Sequence, residues 1–310
     1  MLGPTYDRKK ATVALSRLDT LGFVAAYHPA DTTLHRPTVD FFFARRRGSN
    51  RLYIVITGTE EPLDWASNVR FANYTSRFRD GAFYIPPGHG GFRGAVIDII
   101  RENLLRADEF ASGPPRCLAG SPRASALTRF VCGSGGWPEG QLETVIVGHS
   151  RGVGIGMMAA TMVAGLRVSM PENGPAAVVG APNWPLRLHA VIGFAPPQAI
   201  SSMTDREARV NVPDGLPDHE QVLEGLQIPS RTIMFINERD IVPLLGFGRA
   251  RHYGHLFRIR RDRRVVYEGN RWGPDGGVGE AHSSARYCAD VFREFGPADP
   301  VAAGLCDQPD

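Results

Sequence analysis

The stretch Val145-Ile-Val-Gly-His-Ser-Arg-Gly152 decides the predicted fold. It places Ser150 between Gly148 and Gly152, after an apolar run at 142–147 that predicts a strand and before a segment with helical spacing. A serine on such a strand-to-helix turn needs small residues two positions away on either side, because the backbone bends sharply there. The pattern predicts a nucleophilic serine, and its alternative is a serine that only caps the following helix.

Strand-like and helix-like segments alternate along the rest of the chain, which predicts an α/β fold with a mostly parallel central sheet flanked by helices. We expect a single domain over residues 1–310, with an N-terminal helix at 8–27 and a surface insertion rich in Gly, Pro and Ser at 111–140. Residues 167–187 are interpreted as a Pro-rich connection. The other strands are predicted at 38–44, 52–57, 82–85, 188–194, 231–236, 256–259 and 264–268, and the other helices at 92–110, 151–165 and 281–295.

Composition and charge exclude several classes of protein. Of the 310 residues, 43% are apolar and 22% are charged, and the net charge of +3 does not by itself indicate a nucleic-acid partner. The longest nearly apolar stretch, at 153–166, is too short to cross a bilayer. No signal peptide is visible, so we expect a cytoplasmic protein or one exported without such a signal. No Cys/His cluster has zinc spacing, and neither a metal nor an organic cofactor is expected.

A nucleophilic serine needs a base and a carboxylate that orients the base. In α/β-hydrolases the acid and then the histidine follow the nucleophile along the chain. Asp240 lies just past the predicted strand at 231–236, where residues of parallel sheets face ligands, although a turn-forming aspartate is the alternative. His252, His255 and His282 follow it. We choose His282 as the base, because it opens the last predicted helix after a Gly-rich segment, with His255 in reserve.

The oxyanion formed by attack on an ester needs two N–H donors. One is predicted to be the backbone N–H of Arg151, the residue after the nucleophile. The other is assigned to Thr59, which follows the predicted strand at 52–57 and adds a hydroxyl. The rival for this second position is His89-Gly-Gly-Phe92, which looks like an oxyanion motif of esterases.

An ordered set of short motifs resembles the class 3 lipase family, the fungal-lipase-like α/β-hydrolases. The resemblance spans residues 38–295 as one domain. The matching pieces are Gly58-Thr59 followed by Asp64-Trp65, His89-Gly-Gly-Phe92, Gly148-His-Ser-Arg-Gly152, Val191-Ile-Gly-Phe-Ala-Pro196, Asn237 with Asp240-Ile-Val-Pro243, Tyr253-Gly-His255 and His282.

The resemblance implies an α/β-hydrolase fold and hydrolysis of lipid esters through an acyl-enzyme. It implies a triad of Ser150, Asp240 and His282, and an oxyanion hole formed by Thr59 and Arg151. It also implies that His89 begins a structural helix. A lipase-like binding scaffold without activity, or an esterase of small soluble esters, remains the alternative.

The segment after Thr59, at 60–70, corresponds to the family's lid, with Leu63, Asp64 and Trp65 expected to contact substrate. Its polar character leaves phospholipids and smaller esters open as substrates beside triacylglycerols. Arg151 departs from the family pattern, because a cation at a helix N-terminus opposes the helix dipole. It is a solvated surface residue, a partner of Glu60, Glu61 or Asp64, or a residue that meets an anionic headgroup.

Two further features allow more than one interpretation. The arginines at 258–264 form a basic hairpin, which is either a solvated tip or a point of transient membrane-surface contact. The cysteines form two pairs that are local in sequence and are either disulfides of an exported protein or free thiols. They are Cys117 with Cys132, and Cys288 with Cys306.

Overall fold

A central sheet of eight strands dominates the computed structural model of the protein. The structure describes residues 12, 15–28, 41–58, 73–74, 81–99, 109–110, 114–115, 117, 124–201, 215–238, 240, 242–244, 250–260, 262, 264–269 and 287. The strands are β1 (Phe23–His28), β2 (Phe41–Arg46), β3 (Arg51–Ile56), β4 (Asn73–Tyr74), β5 (Gly88–His89), β6 (Leu142–His149), β7 (Leu166–Ser169), β8 (Ala177–Gly180), β9 (Leu186–Phe194), β10 (Ile200–Ser201), β11 (Thr232–Asn237), β12 (Ala250–Arg251), β13 (His255–Ile259) and β14 (Val265–Gly269). The helices are α1 (Gly90–Ile99), α2 (Ala126–Gly133), α3 (Arg151–Val163), α4 (His219–Gly225) and α5 (Ile228–Arg231), with a 3₁₀ turn at Val242–Leu244.

The strand order of this sheet is β1-β2-β3-β6-β9-β11-β13-β14. The five strands from β3 to β13 run parallel, while β1 and β2 at one end and β14 at the other pair antiparallel. The predicted α/β fold with a mostly parallel sheet is therefore confirmed. Parallel strands end at the same edge, which we call the carboxyl edge, and begin at the amino edge. The last residues at the carboxyl edge are Ile56, His149, Phe194, Asn237 and Ile259.

Helix α3 packs very close to two neighbouring elements because it carries a glycine at each point of contact. A Cβ on Gly154 would lie 2.5 Å from the ring of Phe92 in α1, and one on Gly156 would lie 2.8 Å from Ile146 in β6. Glycine in a helix interior costs about 1 kcal/mol relative to alanine. The close contact with both neighbours explains why glycine occupies these two positions.

The predicted N-terminal helix at 8–27 is wrong in its second half. Residues 15–20 are helical, but Phe23–His28 form strand β1 and pair along their whole length with β2. Gly22, with φ 78°, provides the left-handed residue that ends the helix. The helical spacing of apolar residues is overridden because β2 offers a hydrogen-bonding partner that is distant in sequence.

The predicted surface insertion at 111–140 contains part of the core, which corrects the sequence-based interpretation. Helix α2 lies within it, and Leu127, Phe130 and Val131 are buried, with the Phe130 ring 5.5 Å from that of Phe43. The Gly- and Pro-rich flanks conceal this short amphipathic helix in the sequence. The predicted connection at 167–187 likewise contains the antiparallel hairpin β7–β8.

Three smaller findings bear on the sequence predictions. Of the cysteines, Cys117 and Cys132 form a disulfide, whereas Cys288 and Cys306 lie outside the described residues. The strand predicted at 82–85 is reduced to a single bridge between Phe83 and Arg167. No helix in the described part of the chain combines the length and hydropathy needed to span a bilayer.

Candidate active site

Ser150 occupies the sharp turn between β6 and α3. Its backbone has φ 54° and ψ −130°, a conformation that non-glycine residues rarely adopt and that costs of order 1–3 kcal/mol. The N–H of Ser150 donates to the carbonyl of Phe194 at 2.8 Å, which ties the turn to the end of β9. Strand pairing therefore imposes the turn and fixes the position of the serine at the carboxyl edge.

The glycines around Ser150 are required by close backbone contact. A Cβ on Gly152 would lie 2.2 Å from the carbonyl oxygen of Ile56, and one on Gly148 would lie 2.6 Å from the backbone nitrogen of Val153. Neither position admits a larger residue unless the backbone moves. The structure thus supplies the steric reason for the Gly-x-Ser-x-Gly pattern.

The two serines that precede helices behave differently. Ser125 caps α2, because its hydroxyl accepts a hydrogen bond from the N–H of Thr128 at 3.1 Å. Ser150 precedes α3 but makes no such side-chain capping bond. Helix capping therefore does not account for Ser150.

Arg151 is buried at the start of α3, with 3% of its surface exposed. The interpretation of Arg151 as a solvated surface residue is therefore wrong. Arg151 is the first residue of α3, and the N-terminus of a helix favours a bound anion. The acidic residues proposed as its partners, Glu60, Glu61 and Asp64, lie outside the described residues.

Asp240 is held by hydrogen bonds to both carboxylate oxygens on the loop that follows β11. Only 2% of its surface is exposed. Oδ1 accepts from the N–H of Val242 at 2.9 Å, and Oδ2 accepts from the hydroxyl of Tyr287 at 2.9 Å. The Oδ1 bond is the one expected of a turn-forming aspartate, but the second bond comes from a distant part of the chain. We call residues 238–244 the acid loop.

Tyr287 connects the acid loop to the turn that carries Ser150. Its side chain is fully buried, and its hydroxyl also accepts a hydrogen bond from the N–H of Asn237. Its ring meets that of His149 edge to face, with centroids 6.0 Å apart. Sequence reasoning missed this residue, although its place five residues after His282 in a predicted helix was a usable signal.

His255 cannot be the base, so its assignment as the reserve is wrong. It is the first residue of β13 and pairs in register with Ile233, near the start of β11. It therefore lies at the amino edge, four residues or about 13 Å along the strand from the carboxyl edge. Its Nδ1 is 3.0 Å from the hydroxyl of Tyr267, so it is engaged there.

His252 supports the acid loop. Its Nε2 lies 2.9 Å from the carbonyl oxygen of Pro243 and must donate, because a carbonyl oxygen can only accept. Burial lowers the pKa of His252 to about 4, so the ring is neutral at pH 7. A neutral donor fixed to this loop suits structural support better than proton transfer.

Several predicted site residues lie outside the described residues. They are Thr59, Leu63, Asp64, Trp65 and His282. The residue before Thr59 is placed, however: a Cβ on Gly58 would lie 3.1 Å from the Cβ of Ser150. The chain after β3 therefore runs directly past the serine.

Across the described residues, no three His, Cys, Asp or Glu side chains group as a metal site would need.

Solved structures that resemble the chain are fungal lipases. A deletion mutant of the Rhizomucor miehei lipase propeptide complex matches with a TM-score of 0.51 and 13% identity, over 86% of this chain and 67% of that chain. The native complex matches with a TM-score of 0.50 and 14% identity, over 96% and 84%. A mutant of MDLA from Penicillium cyclopium gives 0.50 and 15%, over 85% and 80%. No protein-family model and no curated protein matches the sequence.

These similarities establish the fold. The chain has the α/β-hydrolase fold, with a predominantly parallel sheet and a serine on the turn after β6. Within that class, its structural neighbours are fungal lipases, which confirms the predicted resemblance to the class 3 lipases at the level of the fold. Identities of 13–15% carry the comparison no further than the fold.

Proposed function

We propose that the protein is a serine hydrolase that cleaves carboxylic esters of lipids. Ser150 is the nucleophile, His282 the general base and Asp240 the carboxylate that orients it. The observation that carries this proposal is the strained turn that holds Ser150 at the carboxyl edge, where Asp240 is also fixed. Strain of this kind persists where the surrounding structure imposes it, and it clusters at catalytic sites.

The position of Tyr287 supports His282 as the base. Tyr287 is bonded to Asp240, and His282 precedes it by five residues, so at most about 18 Å of chain separates their Cα atoms. The other candidates are less suitable, because His255 lies at the amino edge and the Nε2 of His252 is engaged by Pro243.

The backbone around Ser150 supports the proposed oxyanion hole. The N–H of Arg151 begins α3, and Thr59 directly follows Gly58, which lies against Ser150. Thr59 would add its N–H and its hydroxyl. Donors aimed at the developing oxyanion contribute strongly, and loss of one costs about 2.7–4 kcal/mol in activation free energy.

The chemistry is acyl transfer in two steps. His282 removes the proton of the Ser150 hydroxyl as its oxygen attacks the ester carbonyl, and the oxyanion is stabilised by the N–H groups of Thr59 and Arg151. The tetrahedral intermediate collapses, His282 protonates the departing alcohol, and an acyl-enzyme remains. Water, deprotonated by His282, then releases the acid and restores the serine. Asp240 stabilises the imidazolium in both steps.

Lipid esters are proposed as substrates on two grounds. The structural neighbours are named as lipases, and the segment predicted as a lid carries Leu63 and Trp65 beside Asp64. Apolar side chains over the serine would bind an acyl chain by burying its surface.

Labelling with a fluorophosphonate tests the nucleophile. We expect the wild-type protein to be labelled and Ser150→Ala to be unlabelled. Ser125→Ala is the matched control, since it removes a helix-capping hydroxyl and should keep labelling while losing about 1 kcal/mol of stability. Labelling that survives Ser150→Ala, or no labelling of the folded wild type, would refute the assignment.

A panel of esters tests the base and the substrate class together. Triacylglycerols, phosphatidylcholine and p-nitrophenyl butyrate would be offered to the wild type, His282→Ala and His255→Ala. We expect His282→Ala to lose at least about 10³-fold in kcat on every ester and His255→Ala to keep its activity. The reverse pattern would show that the base was wrongly chosen, and cleavage of the soluble ester alone would exclude lipid substrates.

A further inference from the structure

We propose that the turn between β13 and β14 docks the protein on an anionic phospholipid surface, with the carboxyl edge facing the lipid. The segment that carries its charge is Arg258-Ile-Arg-Arg-Asp-Arg-Arg264, which includes the last two residues of β13 and which we call the arginine turn. This inference rests on the proposed function in one respect: the proposed lipid substrates are the reason for choosing a lipid surface as the partner. Binding to the surface is independent of catalysis.

The net positive charge of the arginine turn is larger than that of the whole chain. Its seven residues include five arginines and one aspartate, a formal charge of +4, whereas the entire chain has a net charge of +3. The remainder of the chain is therefore slightly negative in net charge. The arginine turn is the basic segment at the carboxyl edge that the structure describes, and a net positive segment on a nearly neutral background favours contact with an anionic surface.

Two of the three described arginines of the turn present their charge to solvent, whereas Arg258 is half-buried in β13. Arg260 is exposed, and the side chain of Arg264 is 82% exposed. The N–H of Arg260 donates to the carbonyl of Arg264 at 2.9 Å, and Oδ1 of Asp262 accepts from the N–H of Arg264 at 3.1 Å, so the turn is closed. The ion pair between Arg264 and Asp262, at 3.6 Å and largely exposed, contributes little, so the guanidinium can exchange it for lipid phosphates.

The sheet register places the arginine turn beside the proposed active site. Strand β13 runs parallel to β11, and its last residue, Ile259, is aligned with Asn237. The carbonyl of Ile259 accepts a hydrogen bond from the N–H of Glu238 at 3.0 Å. Arg260, the next residue, therefore lies at the carboxyl edge beside the acid loop. Glu238, which makes the bond to Ile259, precedes Asp240 by two residues. A surface that contacts the turn meets the edge that also carries Ser150.

The chain offers a matched control at the opposite edge of the same sheet. The turn between β2 and β3 carries exposed Arg46 and Arg47, and it lies at the amino edge because β3 runs parallel to β6. Arg47 is paired with Asp19 at 2.7 Å, with both side chains exposed. Removing two arginines there changes the net charge equally but does not alter the carboxyl edge.

Sedimentation with sucrose-loaded vesicles tests the proposal, with Ser150→Ala as the background so that no lipid is hydrolysed. We expect binding to vesicles with about 30% phosphatidylglycerol, weakened by salt, and little binding to phosphatidylcholine alone. Each arginine near such a surface contributes about fivefold to partitioning, so Arg260→Gln with Arg264→Gln should lower it about 25-fold. The pair Arg46→Gln with Arg47→Gln should leave it unchanged.

Several outcomes would overturn the proposal. They are equal binding to both kinds of vesicle, equal losses from the two pairs of variants, and displacement of the protein from vesicles by duplex DNA at lower charge concentration. Failure of the proposed catalysis would appear separately, as absence of p-nitrophenyl butyrate hydrolysis by the enzyme with Ser150 intact. In that enzyme, Arg260→Gln with Arg264→Gln should slow the hydrolysis of lipid in anionic vesicles. The same pair should leave the hydrolysis of the soluble ester unchanged.

Discussion

The hydroxyl of Tyr287 gives the sharpest test of how Asp240 is held. Tyr287→Phe keeps the buried ring but removes the hydrogen bond donated to Asp240 Oδ2 and the one accepted from the N–H of Asn237. A hydrogen bond to a charged group contributes about 1.5–3 kcal/mol, and an unsatisfied buried donor adds a penalty of similar size. Because these effects overlap, we expect the free energy of unfolding to fall by about 2–4 kcal/mol.

The same change should alter catalysis in a way that a purely structural loss would not. In the proposed triad, Asp240 without the donated bond would keep more negative charge for the imidazole of His282, and the pKa of that imidazole would rise. The acidic limb of the kcat/KM profile should therefore move to higher pH. We also expect kcat to fall about tenfold with KM nearly unchanged, since the carboxylate is less well positioned.

The measurement is hydrolysis of p-nitrophenyl butyrate across pH, combined with urea unfolding. Tyr84→Phe is the matched control, because Tyr84 is equally buried but packs with Val168 and Val222, in a cluster separate from the acid loop. It should keep the wild-type pH profile. If Tyr287→Phe lowers stability but leaves the acidic limb in place, the Tyr287 bond does not tune the site.

Three further predictions concern stability. His252 is protonated less readily in the folded state, with a pKa of about 4 against an ordinary 6.5. Its contribution to the free energy of unfolding is therefore fully present above pH 6.5 and falls by about 3 kcal/mol toward pH 4. Urea unfolding of His252→Gln should show a shallower decline of stability with falling pH, and a decline identical to that of the wild type would contradict this. Gly152→Ala should lower the free energy of unfolding in urea by at least about 3 kcal/mol, because its Cβ meets a β3 carbonyl. Gly94→Ala, in open space on α1, should leave that free energy unchanged or raise it by up to about 1 kcal/mol. Equal effects of the two substitutions would contradict the close contact. Reducing Cys117–Cys132 should cost about 3 kcal/mol in the same assay, and an unchanged midpoint with dithiothreitol would show that the disulfide does not constrain the chain.

Local sequence predicted the features that depend on neighbouring residues. The turn at Ser150 could be read because its glycines are needed within two positions of the serine. Asp240 could be placed because a polar residue just past an apolar strand of a parallel sheet lies at the carboxyl edge. Both predictions use only the order of residues along the chain, which the sequence gives directly.

Features that depend on distant partners could not be read in the same way. Strand β1 forms because β2 pairs with it, against a helical pattern that continues through residue 25. His255 was a reasonable reserve in sequence order, but only the register with Ile233 shows that it lies at the wrong edge. Tyr287 acts through a bond to a residue on another element.

The contact of Gly152 with the carbonyl of Ile56 has a kinetic consequence. The turn at Ser150 is packed against the end of β3, which pairs with β6, and these two strands come from well-separated parts of the chain. Contacts of high sequence separation form slowly. Reactivity toward a serine-directed probe should therefore emerge late during renaturation, and a partly folded chain should not react with the probe.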